Sequence, residues 1–251
     1  EVLPDVETPE DWIYWSLMAC ISAAAANNYY SSSFSGKHIY YPNIYVILYG
    51  ESGLGKAFGI SLAKKLFNKS NITRAIIGRS SIQGILKEMS TARSVPGKPI
   101  ITDSRAFLIN GELSTGLISD PDALTILTDL FDRNDNPDWT NLLKGDGPEK
   151  LIKPYVTCLF GSSPAHFFEK IPQANIDGGY IGRNLVIHAD KRSKNLDPLS
   201  ADDGEDSEAS DEAFTSYLAT KYLPHLVAIS ERTKTKLRFE ESGRLFYNKW
   251  R

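Results

Sequence analysis

Gly50, Gly53, Gly55 and Lys56 fall within one string, GESGLGKA (50–57), between an apolar run and an amphipathic one. Glycines at this spacing let a backbone curl until successive N–H groups point inward as a nest for an anion. A lysine directly after the last glycine adds a full positive charge, and a helix opening there adds the positive end of its dipole. The string fits G-x-x-x-x-G-K, so Gly50, Glu51, Ser52, Gly53, Leu54, Gly55, Lys56 and Ala57 form the expected cradle for nucleotide phosphates. Lys56 is the residue expected to meet the β- and γ-phosphates. Position 57 departs from the pattern. Serine or threonine there would supply a hydroxyl to Mg²⁺, and Ala57 has none, so magnesium would be held less well than the nucleotide.

Phosphoryl chemistry at such a loop also needs a carboxylate near the γ-phosphate, at the end of a neighbouring strand. AFLINGEL (106–113) puts Glu112 directly after an apolar run. Glu112 is therefore the candidate for polarising the attacking water or ordering the Mg²⁺ shell, and so the candidate metal residue. Asp103, after KPIIT, is the alternative. The aspartate that commonly precedes such a glutamate is replaced by Gly111, with Asn110 one step earlier. Other chemistries have less to work with. His38, His166, His188 and His225 lie far apart, giving no metal-ligand spacing, and no nucleophile-elbow string occurs.

The elements that must position these residues alternate in type. NIYVILYG (43–50) reads as a strand buried on both faces, followed by the loop and a helix over 56–69. Strands follow at 73–78, 105–111, 154–163 and 182–190, with helices at 81–93 (capped by Ser80 or Ser81), at 120–132 and after Pro164. WTNLLKGDGPEKLIKP (139–154) carries two β-capable runs around a GDGP turn, a hairpin signal. Ahead of all these, residues 8–30 read as a helix with Thr8 as N-cap and Pro9 in its first turn. Strands alternating with helices imply an α/β fold, an αβα sandwich around a mainly parallel sheet.

Composition narrows the class. Apolar residues at 41% and charged residues at 24% fit a folded globular chain, and a net charge of −3 excludes a uniformly basic nucleic-acid binder. Any DNA contact must rest on a local group of lysines and arginines. Cys20 and Cys158 each sit in an apolar run, which implies neither a disulfide framework nor a zinc site and points to a cytoplasmic setting. The acidic start lacks the basic end and apolar core of a signal peptide, and the longest apolar stretch (18–26) is too short to span a bilayer, so no membrane is expected. Residues 196–212, LDPLSADDGEDSEASDE, form an acidic stretch without a basic residue, expected to be a solvated loop. The sequence divides into an N-terminal helical lead-in (1–37), an ATPase core (38–195), that acidic loop (196–212) and a C-terminal helical segment (213–251). The last helix reaches Arg251 with its apolar face (Leu245, Phe246, Trp250) still running, as expected of a piece of a longer protein.

The strings YPNIYVILYGESGLGK, NGELSTGL, LLKGDGPEKLIKPYVTCLFGSSP and DGGYIGRNLVI, in this order, resemble the AAA+ helicase domains of phage and mobile-element primase-helicase proteins. These are similar to superfamily-three and minichromosome-maintenance-type helicases. The likeness covers about residues 8–192 and returns more faintly at 213–251. The loop motif is specific to P-loop proteins in general, and the other strings argue through order and spacing.

The resemblance implies a P-loop ATPase that hydrolyses ATP, with Mg²⁺, between subunits of a homo-hexameric ring and moves along single-stranded DNA. By the same likeness the strand 154–163 would be the sensor-1 strand, ending at Ser162 and Ser163 with a small hydroxyl toward the γ-phosphate or the lytic water. The residue-level alternative is that these serines begin a helix. Arg183 would be an arginine finger acting across a subunit boundary, against the alternative of a salt-bridged surface residue. The hairpin would reach into the ring's pore, with Lys144 at its turn and Lys150 on DNA phosphates, and Trp139 either stacking or packing at its base. A primase or polymerase module in the same polypeptide, and a bacterial or archaeal host cell, are further implications. The reading from another class is a nucleotide-gated binding or assembly module with little hydrolysis, favoured by Ala57 and Gly111. A P-loop metabolic kinase fits less well, because no arginine-rich lid is visible.

Overall fold

The structure is a computed structural model that describes residues 7–32, 38–68, 70, 72–93, 101–102, 104–113, 115–118, 120, 122–132, 138–143, 147–167, 171–177, 179–193, 216–238 and 240–241. In chain order its helices are α1 (Glu10–Ala25), α2 (Lys56–Asn68), α3 (Ile82–Ser90), α4 (Thr115–Ile118), α5 (Ala123–Phe131), α6 (Pro164–Phe167), α7 (Gln173–Asp177) and α8 (Leu223–Ser230). Its strands are β1 (Tyr29–Ser32), β2 (Ile39–Tyr40), β3 (Tyr45–Tyr49), β4 (Arg74–Ile77), β5 (Ala92–Arg93), β6 (Ile101–Thr102), β7 (Arg105–Asn110), β8 (Asp138–Leu143), β9 (Gly147–Ile152), β10 (Tyr155–Ser162), β11 (Asn184–His188) and β12 (Thr235–Lys236). Asp103, Lys144, residues 196–212 and the terminal apolar face at Leu245, Phe246 and Trp250 lie outside the described residues.

Five strands form one parallel sheet in the order β11-β3-β10-β7-β4. Its three central strands are apolar at nearly every position because both faces are covered, and the two-residue period divides their side chains between two cores. Tyr45 and Ile47 of β3, Ala106 and Leu108 of β7, and Val156, Cys158 and Phe160 of β10 face a cluster with Ile82, Ile85 and Leu86 of α3 and Leu124 and Leu127 of α5. Val46, Leu48, Phe107, Ile109 and Leu159 face the other cluster, with Trp12, Ile13 and Ala23 of α1 and Ile60, Ala63 and Leu66 of α2. Each fully buried Val, Leu, Ile or Phe of this kind contributes about 1.5–3 kcal/mol. The expected α/β class with a parallel sheet between helical layers is what forms.

Helix α1 departs from its expected bounds at both ends. Pro9 stands at the cap position and no side chain caps the helix, because the Thr8 hydroxyl donates to the Gly55 carbonyl instead (3.2 Å). At the far end Ala26 takes a positive φ of 43°, and the chain leaves through a 3-10 turn into β1. Strand β1 pairs antiparallel with β2 and parallel with β12. Tertiary pairing here overrides the helical reading of residues 26–30. Among smaller outcomes, Ser81 caps α3, accepting from the Gly84 amide at 3.2 Å, and that helix stops at Ser90.

Helix α1 also ties into the sheet through polar groups. Ser22 lies within hydrogen-bonding distance of Thr157 (2.8 Å) and Tyr155 (3.2 Å), and Tyr155 donates to the Ser22 carbonyl (2.9 Å). Leu218 and, from α8, Leu226 join the same apolar cluster as α1, so α8 packs on the first helix. Among the described residues no helix is long and apolar enough to cross a membrane.

Candidate phosphate-binding site

The string 50–57 occupies the turn from β3 into α2, at the carboxyl ends of the parallel strands. In an open α/β sheet the crevice outside those ends is where ligands bind. Gly53 and Gly55 hold positive φ values of 88° and 93°, conformations that a side chain at either position would strain. Gly50 is required for a different reason. A Cβ there would lie 2.5 Å from the Ala189 carbonyl oxygen and 3.0 Å from the Trp12 ring. Helix α2 opens at Lys56, so its free N–H groups face the loop.

Lys56 bends back over this turn. Its ammonium donates to the carbonyls of Gly50 (2.6 Å) and Glu51 (2.8 Å) and stands 5.7 Å from the Trp12 ring centroid. Partial burial lowers its pKa from the ordinary 10.5, against the opposing pull of the Glu112 and Glu51 carboxylates.

Glu112 follows β7, with its amide bonded to the Asn110 side chain (3.3 Å). Its carboxylate is exposed and close enough for the Lys56 ammonium to feel it. The strand that carries it is not the neighbour of the loop strand, because β10 runs between β3 and β7. The link passes through the end of β10. Leu113 donates to the Gly161 carbonyl (2.6 Å) and Gly50 donates to the Ser162 carbonyl (3.3 Å). Ser162 is fully buried, its hydroxyl making only a long contact to the Ser163 carbonyl (3.4 Å). The Ser163 carbonyl accepts from the Phe167 amide (2.9 Å), so this serine does begin helix α6. Ser162 thus meets the loop through its backbone carbonyl, while the Ser163 carbonyl serves α6.

The chain matches no protein-family model, and no curated protein is significantly similar to it.

Arg183 stands on the opposite rim. It ends a 3-10 turn directly before β11, whose first residue, Asn184, pairs with Tyr45 while His188 pairs with Tyr49 beside the loop. That register puts about 13 Å of strand between Arg183 and the loop's rim. Its guanidinium is bound to Asp132 through Nε (2.9 Å) and Nη2, and to the Gly179 carbonyl (2.7 Å). The Asp132 hydrogen bond raises its pKa further. A groove of about 270 Å³ lined by Tyr40, Tyr41, Asn43, Phe131, Asp132 and Tyr155 lies on this rim too, away from the phosphate loop.

The hairpin β8–β9 forms as expected, with Leu143 opposite Gly147 and Asp138 opposite Ile152. Trp139 packs against the sheet's core at its base. Lys150 pairs with Asp138 (3.0 Å) near that base and remains largely exposed.

The residues that sequence reasoning missed are those behind the loop. The sequence pattern makes Thr8 a helix cap and assigns no role to Trp12 or Arg192. Trp12 is fully buried, donates to the Ile187 carbonyl (2.9 Å) and backs Lys56. Arg192 donates to the Gly53 carbonyl (2.9 Å). A tryptophan following Thr-Pro-Glu-Asp carries no phosphate signal in a sequence, because its role comes from a partner 44 positions on.

What the loop offers a phosphate chain is a backbone turned at two positive-φ glycines, a helix N-terminus and one ammonium. For magnesium the set is thinner. Ala57 offers no ligand, leaving Glu112 as the candidate protein carboxylate, which fits an ion that takes most of its ligands from phosphate and water.

Proposed function

We propose that this chain binds a nucleoside triphosphate, ATP, at Gly50–Ala57 and acts as the motor domain of a ring-forming, AAA+-like DNA helicase of a phage or mobile-element replication protein. One observation carries the reading. A buried parallel strand runs into a loop with two glycines at positive φ, and the loop runs into a helix that opens on Lys56, whose pKa the Glu112 charge raises against burial.

In this reading the nest and Lys56 hold the phosphates and align the γ-phosphoryl group, which is most of what phosphoryl transfer asks of a protein. The Glu112 carboxylate, exposed and one strand removed from the loop, accepts a proton from or orients the attacking water. Mg²⁺, when bound, would neutralise charge on the phosphate oxygens, with Glu112 in its shell. Arg183 lies on the rim away from its own loop, the location a group needs if it is to serve the site of an adjacent subunit. To do so it exchanges Asp132 for the developing charge on the phosphoryl group. Single-stranded DNA would meet the hairpin that carries Lys144 and Lys150.

The second reading, a nucleotide-gated assembly module, is favoured by Ala57, which stands at the first turn of α2 with no hydroxyl to offer. The separating experiment compares ATP binding and hydrolysis for the chain as it stands and for Ala57→Ser, each with and without single-stranded DNA. DNA-stimulated turnover in the serine variant supports the motor. Binding without turnover by either protein, in an assembled ring, supports the module. No ATP binding by either removes both.

A further inference from the structure

We infer that Arg192 and Thr8 are positioning residues for the phosphate loop, closing a clasp that sets the direction of its N–H groups. The inference rests on the reading that this loop binds phosphate. Two segments outside the motif meet behind it, residues 7–12 entering α1 and residues 187–193 around the end of β11. They are stitched together by the Trp12 indole on the Ile187 carbonyl (2.9 Å), the Ser193 amide on the Glu7 carbonyl (3.0 Å), the Glu10 amide on the Ser193 hydroxyl (3.1 Å) and the Arg192–Glu7 ion pair.

From this seam two donors reach the loop, and both take a carbonyl of a glycine at positive φ. Arg192 Nη2 donates to Gly53 at 2.9 Å, and the Thr8 hydroxyl donates to Gly55 at 3.2 Å, beside the Phe58 amide at 3.0 Å. In a planar trans peptide unit the C=O and the following N–H point in opposite directions. Fixing the Gly53 carbonyl toward Arg192 therefore aims the Leu54 N–H away from the seam. Fixing the Gly55 carbonyl toward Thr8 does the same for the Lys56 N–H. Glycine is the residue whose φ is freest, so a nest made with two of them loses the most order unless something outside holds it. Arg192 holds the loop by a charge-assisted bond, the stronger kind. Glu7 in turn fixes the guanidinium.

The test uses the full chain with Arg192→Gln, Arg192→Lys and Thr8→Val. Amide ¹⁵N resonances of Leu54 and Lys56, recorded without nucleotide, read the clasp itself. ATP affinity by calorimetry reads its consequence. R192Q is expected to move Leu54 more than Lys56, and T8V to do the reverse. R192Q is expected to weaken ATP about tenfold, with R192K recovering part of the loss and the melting temperature nearly unmoved. Resonances that stay in place overturn the clasp, and resonances that move while affinity holds overturn its role in binding. If the unaltered chain binds no ATP, the nucleotide reading fails while the resonances still decide whether the clasp exists.

Discussion

Lys56 and Trp12 meet behind the glycine-rich loop 50–57, the ammonium 5.7 Å from the indole centroid. The contact joins the one full positive charge of the loop to the first helix of the fold. Cation–π contact of this kind is worth about 0.5–2 kcal/mol, and the ring also closes the space that Gly50 leaves open.

Nucleotide affinity should fall in alkaline solution earlier than a free lysine would allow. Burial lowers the Lys56 pKa below 10.5, and a bound phosphate needs the charged form. Affinity is thus fully present below the lowered pKa and is lost as pH rises through it. The same shift has the opposite sign for folding. Between the folded pKa and the unfolded value the unfolded chain binds more protons, so this group's contribution to stability rises with pH. A calorimetric series from neutral to alkaline pH checks the first effect, and constant affinity up to pH 10.5 would count against it.

Alanine at Gly53 and at Gly55 should separate backbone strain from collision. Both positions have positive φ, but a Cβ at Gly53 meets nothing within 4 Å, whereas one at Gly55 lies 2.5 Å from Thr8 Oγ1. Gly53→Ala should cost about 1–2 kcal/mol from strain alone. Gly55→Ala should cost more and also release Thr8. Denaturation midpoints of the two variants, measured side by side, decide whether the order is right.

Gly161→Ala should disturb Glu112 without touching it. A Cβ at position 161 would lie 2.3 Å from the Gly111 carbonyl oxygen, so the turn that carries Glu112 must move. Overpacking of this kind costs about 1–3 kcal/mol. Loss of hydrolysis with retained ATP binding is the expected result in the chain that turns over ATP. Unchanged turnover would show that the turn's placement does not matter to Glu112.

Arg183→Ala should abolish hydrolysis in an assembled ring and spare ATP binding. In the isolated chain it should cost at most about 1 kcal/mol, because the Asp132 pair is partly exposed. Equal turnover by the mixed and unmixed assemblies, when R183A is blended with a Lys56→Ala chain, would remove Arg183 from any shared site.

Ser22→Ala should loosen α1 from the sheet. It leaves the buried Thr157 hydroxyl without its 2.8 Å partner and removes one contact of the Tyr155 hydroxyl, at a cost of about 1–3 kcal/mol. A lower denaturant midpoint with an unchanged slope is the expected signature.

The sequence by itself determined the alternation of strand and helix, the parallel sheet and the glycine-rich turn from β3 into α2. These depend on near neighbours: uninterrupted apolar runs such as Tyr45–Tyr49, glycines at fixed offsets, and a lysine at the head of an amphipathic helix. It also placed the hairpin around its turn and Trp139 among the two roles open to it. Only the tertiary structure decided what lies behind the loop. Whether Thr8 caps a helix or holds Gly55, whether residues 29–30 continue a helix or pair with Thr235–Lys236, and whether β7 or β10 borders β3 are settled by contacts between distant positions. Local propensities differ there by about 1 kcal/mol or less, and the burial and pairing gained on folding outweigh them. Trp12 and Arg192 acquire their roles only when the entry to α1 and the exit of β11 meet at the loop, a meeting that no local pattern encodes.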